Sequence, residues 1–197
     1  MRISVIPVCY NAASTLKDAV ESVLGQVPDA EAPFDLEYIV VDGASTDDTL
    51  ELLTPYRERI ATLISEPDQG LYDAMNKGVQ AATGDVVAIL NADDVYASTD
   101  VLARVAHAFT ATGTDAVYGA LNYVAADDLS RVTRRWRSGA YSPGAFRRGW
   151  LLCLLVIPLS DPAEARDWED YFLNRDQRGQ QLLEAGEAEA AAGTFRN

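Results

Sequence analysis

The sequence predicts an α/β fold: a mostly parallel sheet with helices on both faces, followed by a hairpin and a helical region. Three observations predict it. Short continuous apolar runs recur at Ile3–Val8, Tyr38–Val41, Ala61–Ser65 and Val86–Leu90. Helix-spaced segments separate them, and strands without polar alternation are those buried on both faces, as in parallel sheets. The chain has 197 residues, 48% of them hydrophobic and 23% charged, which is enough for one α/β core and argues against a disordered or coiled-coil chain.

The elements follow in order. Ile3–Val8 is the first strand. Leu16, Ala19, Val20, Val23 and Leu24 then fall on one helical face, with Ser14 or Thr15 as caps and Asp18 completing a box with Thr15. After the strand Tyr38–Val41, Ser45 and Asp48 predict a capping box opening a helix over Asp48–Tyr56. A helix from Leu71 to Ala82, stopped by Gly84, links the third and fourth strands. Ser98 or Thr99 caps a further helix with Leu102, Val105, Ala106 and Phe109 inward and His107 outside that face. Ala116–Ala125 and Ser130–Trp136 read as a hairpin around Ala126-Asp127-Asp128. A short helix over Tyr141–Arg148 and a longer one over Ala163–Leu183 complete the expectation.

Composition removes several functions. A net charge of −14 argues against a nucleic-acid partner. Cys9 and Cys153 form no CxxC, and a single His rules out a multi-histidine metal site. MRISVIPV is too short an apolar run for a signal peptide, and Leu151–Leu159 is far short of the roughly 20 residues a bilayer requires. The expected compartment is the cytoplasm. Between Asp128 and Asp161 the chain has no acid but six arginines: Arg131, Arg134, Arg135, Arg137, Arg147 and Arg148. Such a basic strip on an acidic protein suits a specific anionic partner, or pairs with the acidic remainder.

In parallel sheets, ligands bind beyond the carboxyl ends of the strands. Three of those ends carry polar clusters: Cys9-Tyr10-Asn11, Asp42-Gly43-Ala44-Ser45-Thr46 and Asn91-Ala92-Asp93-Asp94. Adjacent carboxylates repel, so a cation is a natural partner for the last cluster. Mg²⁺ or Mn²⁺ held by one or two carboxylates and substrate phosphates is the usual arrangement in phosphate chemistry; an Asx turn or helix cap is the structural alternative. Asp42 places a carboxylate where acids of dinucleotide folds accept hydrogen bonds from a ribose or base. No GxGxxG or Walker loop is present, which removes dehydrogenase and P-loop readings.

Taken together, SVIPVCYNAASTLKDAVESVLGQ, EYIVVDGASTDDTLELL, ISEPDQGLYDAMNKGVQAATGD and VVAILNADDVY resemble the signature blocks of family-two glycosyltransferases of GT-A fold, in the subgroup that makes bacterial surface polysaccharides. The resemblance covers residues 3–96 and continues weakly to Trp150. It implies one GT-A-like domain over 1–197, with a nucleotide-sugar half (1–96) and an acceptor half (97–197). It also implies that Pro7, Tyr10 and Asn11 line the nucleotide pocket and that Asp42 meets the uracil or ribose side. Asp68, Asp73, Asn76 and Lys77 lie beside the nucleotide. Asn91, Ala92 and Asp93 stand at the family's Asp-x-Asp motif, so Asp93 and Asp94 are the carboxylates for Mg²⁺ or Mn²⁺.

The activity implied is inverting transfer of a sugar from a nucleotide-diphosphate donor, a UDP-sugar above others, to a hydroxyl of a saccharide or lipid-linked acceptor. Beyond Trp150 the family's histidine- and proline-containing acceptor segment has no counterpart, and Trp168–Arg175 stands at its acidic motif. Asp170 is then the general base, with Asp167 as the alternative. Arg134, Arg135, Arg147, Arg148 and Trp150, with the apolar run after them, are expected to face an anionic acceptor, with peripheral contact at the inner membrane surface. Sugar nucleotidyl transfer would need a Gly- and Arg-rich loop after the first strand, which Cys9–Ser14 lacks. A donor-binding protein without the acceptor half is the alternative to the enzyme.

Overall fold

The computed structural model describes residues 1–114, 116–137 and 156–158. In a five-stranded sheet, β1 (Arg2–Cys9), β2 (Asp35–Asp42), β3 (Thr62–Ser65) and β4 (Val86–Asn91) run parallel, and β7 (Val156–Pro158) joins β4 antiparallel. Their order across the sheet is β3-β2-β1-β4-β7. The apolar runs of β1 and β2, and most of that of β4, are buried because both sheet faces are covered, while Thr62–Ile64 of β3 are half-buried. Ile3, Val5, Tyr38 and Val40 point to one side, against α1 (Leu16–Leu24) and α4 (Val101–Thr112). Ile6, Val8, Ile39 and Val41 point to the other, against Ala74, Met75 and Val79 of α3 (Leu71–Ala81).

That second contact is close enough to demand a glycine. A Cβ on Gly78 would lie 2.3 Å from Ile6 Cγ2, so α3 sits almost directly on β1. Helix α1 buries Leu16, Ala19, Val20, Val23 and Leu24, the five residues its spacing selects. In α4, Leu102, Val105, Ala106 and Phe109 are buried and His107 is exposed, as expected. Strands β5 (Leu121–Ala125) and β6 (Asp128–Trp136) form the expected hairpin as a separate two-stranded sheet, with β6 exposed along nearly its whole length.

Several local expectations are corrected. The helix expected over Asp48–Tyr56 is a single turn, α2 (Thr49–Leu52), followed by a 3-10 segment over Thr54–Arg59. Pro55 has no N–H to continue the ladder and its ring crowds the carbonyl four residues back. No capping box opens α2, because the Ser45 hydroxyl donates to Asp42 instead. Thr15 makes no side-chain cap. Neither Ser98 nor Thr99 caps α4: Asp100 holds that position, and Gln26 Oε1, from beyond the end of α1, accepts from Leu102 N at 2.9 Å. Helix α3 ends before Gly84, whose small size is needed for a different contact, since a Cβ there would be 2.5 Å from Ser4 Oγ. In the first hairpin arm only Leu121–Ala125 is strand. Within the apolar run Leu151–Leu159, Val156–Pro158 pairs with β4 at the edge of the central sheet. The helices expected over Tyr141–Arg148 and Ala163–Leu183 lie outside the described residues.

Candidate active site

The register of the sheet sets the site. Val8 pairs with Asn91, Cys9 with Asp42, and Asp42 with Ser65, so the ends of β4, β1, β2 and β3 form one row. The polar clusters beyond β1, β2 and β4 therefore open on the same edge.

Asp42 organises the first two loops from beneath. It is completely buried. The Ser45 hydroxyl donates to its Oδ1, Ser45 N to its Oδ2 at 3.1 Å, and Ser65 Oγ to its Oδ2 at 2.7 Å. Ser45 in turn accepts from Asn11 N at 2.8 Å, and Asn11 Oδ1 accepts from Thr46 N at 2.8 Å. Asp47 adds a third tie by accepting from Ala13 N at 3.1 Å. Asn11 and Ala44 have φ of 49° and 61°, left-handed backbone that asparagine tolerates and alanine resists, held here by these loop-to-loop bonds. In the sequence, Ser45 reads as a helix cap within a polar strand end, and Asp47 and Ser65 are given no role in the site. Ser65 was findable, as a hydroxyl at a fourth strand end on the same edge.

Cys9 Sγ lies 3.8 Å from Asp42 Oδ1. Burial first, and then the Asp42 charge and hydrogen bond, raise its pKa to about 12, so the thiol is inert. Pro7 is buried inside β1, whereas Tyr10 is 64% exposed just past the strand end.

The loop before α3 completes this side. Asp68 Oδ1 accepts from Gly70 N at 2.8 Å, and its Oδ2 lies 2.4 Å from where a Cβ on Gly43 would stand. Lys77 clamps that loop through Glu66 at 3.0 Å, the Pro67 carbonyl at 2.9 Å and Asp73 at 3.3 Å. The bond from Gln69 N, and then the Lys77 ammonium, hold the Asp73 carboxyl below its usual value. Lys77 and Asp73 thus support the loop. Asn76 is half-buried, with an Oδ1 that has no partner among the described residues.

Beyond β4, Ala92 is buried, Asp93 exposed and Asp94 half-buried. Asn91 Nδ2 donates to Asp94 Oδ2 at 3.2 Å, and burial followed by the Asp93 charge raises the Asp94 pKa. Both carboxylates carry hard oxygens suited to Mg²⁺ or Mn²⁺, and a cation would relieve their repulsion. Among the described residues no group of three or more His, Cys, Asp or Glu forms a metal cage. The donor set therefore fits an ion completed by phosphate oxygens and water. Arg134 and Arg135 lie on β6, where the Arg134 guanidinium stacks 5.4 Å from the centre of the Tyr123 ring. Arg147, Arg148, Trp150, Asp167 and Asp170 lie outside the described residues.

The model of the family described as "Glycosyl transferase family 2" matches residues 4–160. The chain belongs to that family. The PGL/p-HBAD biosynthesis glycosyltransferase of Mycobacterium bovis is 38% identical over 144 residues, 70% of this chain and 51% of that protein. An uncharacterized glycosyltransferase of Nostoc is 41% identical over 99 residues, 49% of this chain and 29% of its own length. The chain thus spans at most about half the length of these curated relatives. Among solved structures, S. aureus TarS 1–349 superposes with a TM-score of 0.52 at 25% identity, over 59% of this chain and 34% of that one, and was also solved in complex with UDP. The mannosyltransferase PcManGT of Pyrobaculum calidifontis, in complex with GDP-Man and Mn²⁺, gives 0.52 at 22% identity, over 79% of this chain and 44% of that one. The family-2 fold is GT-A, a mostly parallel α/β sheet with helices on both faces.

Proposed function

We propose that this family-2 chain transfers a sugar from a UDP-sugar to a hydroxyl of a saccharide or lipid-linked acceptor, with inversion, in surface-polysaccharide synthesis. The observation that carries the reading is the convergence of three loops on one sheet edge, with Asp93 exposed directly beyond buried β4. The UDP complex of TarS supports a uridine donor, and the Mn²⁺ of the mannosyltransferase complex accords with a divalent ion.

Tyr10 and the left-handed turn at Asn11 flank the nucleoside, with Pro7 and Asp42 shaping the edge from below. Asp93 and Asp94 would hold Mg²⁺ or Mn²⁺, which when bound neutralises charge on the departing diphosphate. The remaining task is proton removal. Asp170, or Asp167 in its place, takes the proton of the acceptor hydroxyl as that oxygen attacks C1 from the face opposite the leaving group. The C1–O bond to the diphosphate breaks as the new glycosidic bond forms. Arg134, Arg135, Arg147 and Arg148, with Trp150, draw an anionic acceptor to this edge at the inner face of the membrane.

Thermal-shift assays with UDP, GDP and their sugars, with and without Mn²⁺, test the reading. UDP at about a hundredfold excess over its Kd should raise Tm by about 5–10 °C only when metal is present. No shift with any nucleotide sugar overturns it. Binding without transfer or donor hydrolysis would select a donor-binding protein instead.

A further inference from the structure

We infer that Asp68, not Asp42, reads the nucleobase, accepting the N3–H of uracil on its Oδ2 and so selecting uridine donors. The inference rests on the nucleotide-sugar reading above.

Asp42 cannot reach a base. It is completely buried, and both its oxygens are occupied by Ser45 and Ser65. Asp68 stands on the same edge in the opposite condition. Its Oδ1 is fixed by Gly70 N at 2.8 Å, and its Oδ2 is left without a hydrogen-bond donor among the described residues. That free oxygen lies over the Cα of Gly43, in space a side chain there would fill. The same virtual Cβ lies 3.4 Å from Tyr10 Cδ2, so the carboxylate and the exposed aromatic ring flank one glycine. An exposed aromatic ring beside a carboxylate acceptor suits a base that stacks on the ring and turns an N–H toward the carboxylate. The loop carrying Asp68 is held from behind by Lys77, which keeps the acceptor in place.

The tie to Gly70 decides which base fits. With one oxygen spent, Asp68 offers a single acceptor. Uracil presents a single ring N–H between two carbonyls. Guanine presents an N–H and an amino group side by side and would want both oxygens. Cytosine presents a bare ring nitrogen, itself an acceptor, and repels the carboxylate.

The same geometry predicts an inversion. In Asp68→Asn, Gly70 N still requires an acceptor and keeps the amide Oδ1, which leaves Nδ2, a donor, at the reading position. Uracil then meets donor against donor, whereas the cytosine ring nitrogen gains a partner.

Calorimetry with UDP, CDP and GDP in the presence of Mn²⁺ tests this on the 197-residue chain. The unmodified chain should prefer UDP over both. D68N should weaken UDP by about tenfold or more and strengthen CDP, while D68A should lose discrimination without inverting it. Gly43→Ala, which pushes the carboxylate aside, should resemble D68A. If the unmodified chain binds UDP but D68N leaves the UDP-to-CDP ratio unchanged, the assignment to Asp68 is wrong while the function stands. If the unmodified chain binds no nucleotide, both fail together.

Discussion

Strand β2 carries a buried carboxylate near each end, and the two are satisfied in different ways. Glu37, at the amino end, accepts from Ser4 Oγ at 2.5 Å, Thr83 N at 2.8 Å and Thr83 Oγ1 at 2.6 Å, and pairs with the Arg2 guanidinium at 3.1 Å. Gly84 closes that cluster by donating to Ser4 Oγ at 3.0 Å. Every partner belongs to a strand or to the turn entering β4, so the bonds fasten the strand starts together. Asp42, at the carboxyl end, has hydroxyl and backbone donors from Ser45 and a hydroxyl from Ser65. Its bonds hold loops, and the loops present other side chains outward. The amino end is a fastening and the carboxyl end a scaffold for a site.

Stability measurements should show the largest contrast. Glu37→Ala strands the donors of Ser4 and Thr83 and leaves the half-exposed Arg2 only its long, exposed pairing with Asp35 at 3.8 Å, and should cost about 3 kcal/mol in chemical denaturation with unchanged UDP affinity in the remaining folded protein. A loss of UDP affinity there would erase the division between the two ends. Asp93→Ala should do the reverse. Calorimetry should record a loss on the order of a hundredfold in Mn²⁺-dependent UDP binding, with Tm unchanged. A drop in Tm without a change in affinity would move Asp93 from the site to the scaffold.

A pH series sharpens the amino end. Burial by itself would raise the Glu37 pKa, but the bonds from Ser4 and Thr83 and the Arg2 charge outweigh it, so the folded value lies below the ordinary 4.5. The stabilisation is therefore complete above pH 4.5 and is lost as pH falls through the lower folded value. Its slope cannot exceed about 1.4 kcal/mol per pH unit for one proton. Denaturation of wild type and Glu37→Gln over pH 3–6 should give a steeper acid loss in wild type; parallel curves would remove Glu37 as the source. The smallest effect belongs to Ser65→Ala, which takes one of several donors from Asp42. It should cost about 1 kcal/mol in stability and weaken UDP only slightly. A large loss of UDP binding would place Ser65 in contact with the nucleotide.

How much was legible depends on the range over which each feature is decided. The four parallel strands and the inward faces of α1 and α4 were readable because period and burial are written locally in residues such as Leu16, Val20, Leu102 and Val105. The three polar strand ends were readable for the same reason. The caps were not. Ser45 had a suitable partner at Asp48, yet a buried Asp42 made a stronger claim on its hydroxyl. Gly84 looked like a helix stop and is instead a point of close approach to Ser4, a neighbour 80 positions away.

The sequence by itself determined the strand and helix periods, the acidic balance with its basic strip, and the tetrapeptide Asn91-Ala92-Asp93-Asp94 at a strand end. Those depend on residues within one or two turns of one another, where covalent spacing fixes the geometry. The tertiary structure alone decided that Gln26 would cap α4 across 76 residues, that Asp42 would turn inward while Asp68 came to rest over Gly43, and that Val156–Pro158 would close the edge of β4. Each is a competition among distant groups for one donor, one acceptor or one space. Its outcome depends on which partners the fold brings within about 3 Å, a distance that spacing along the chain does not encode.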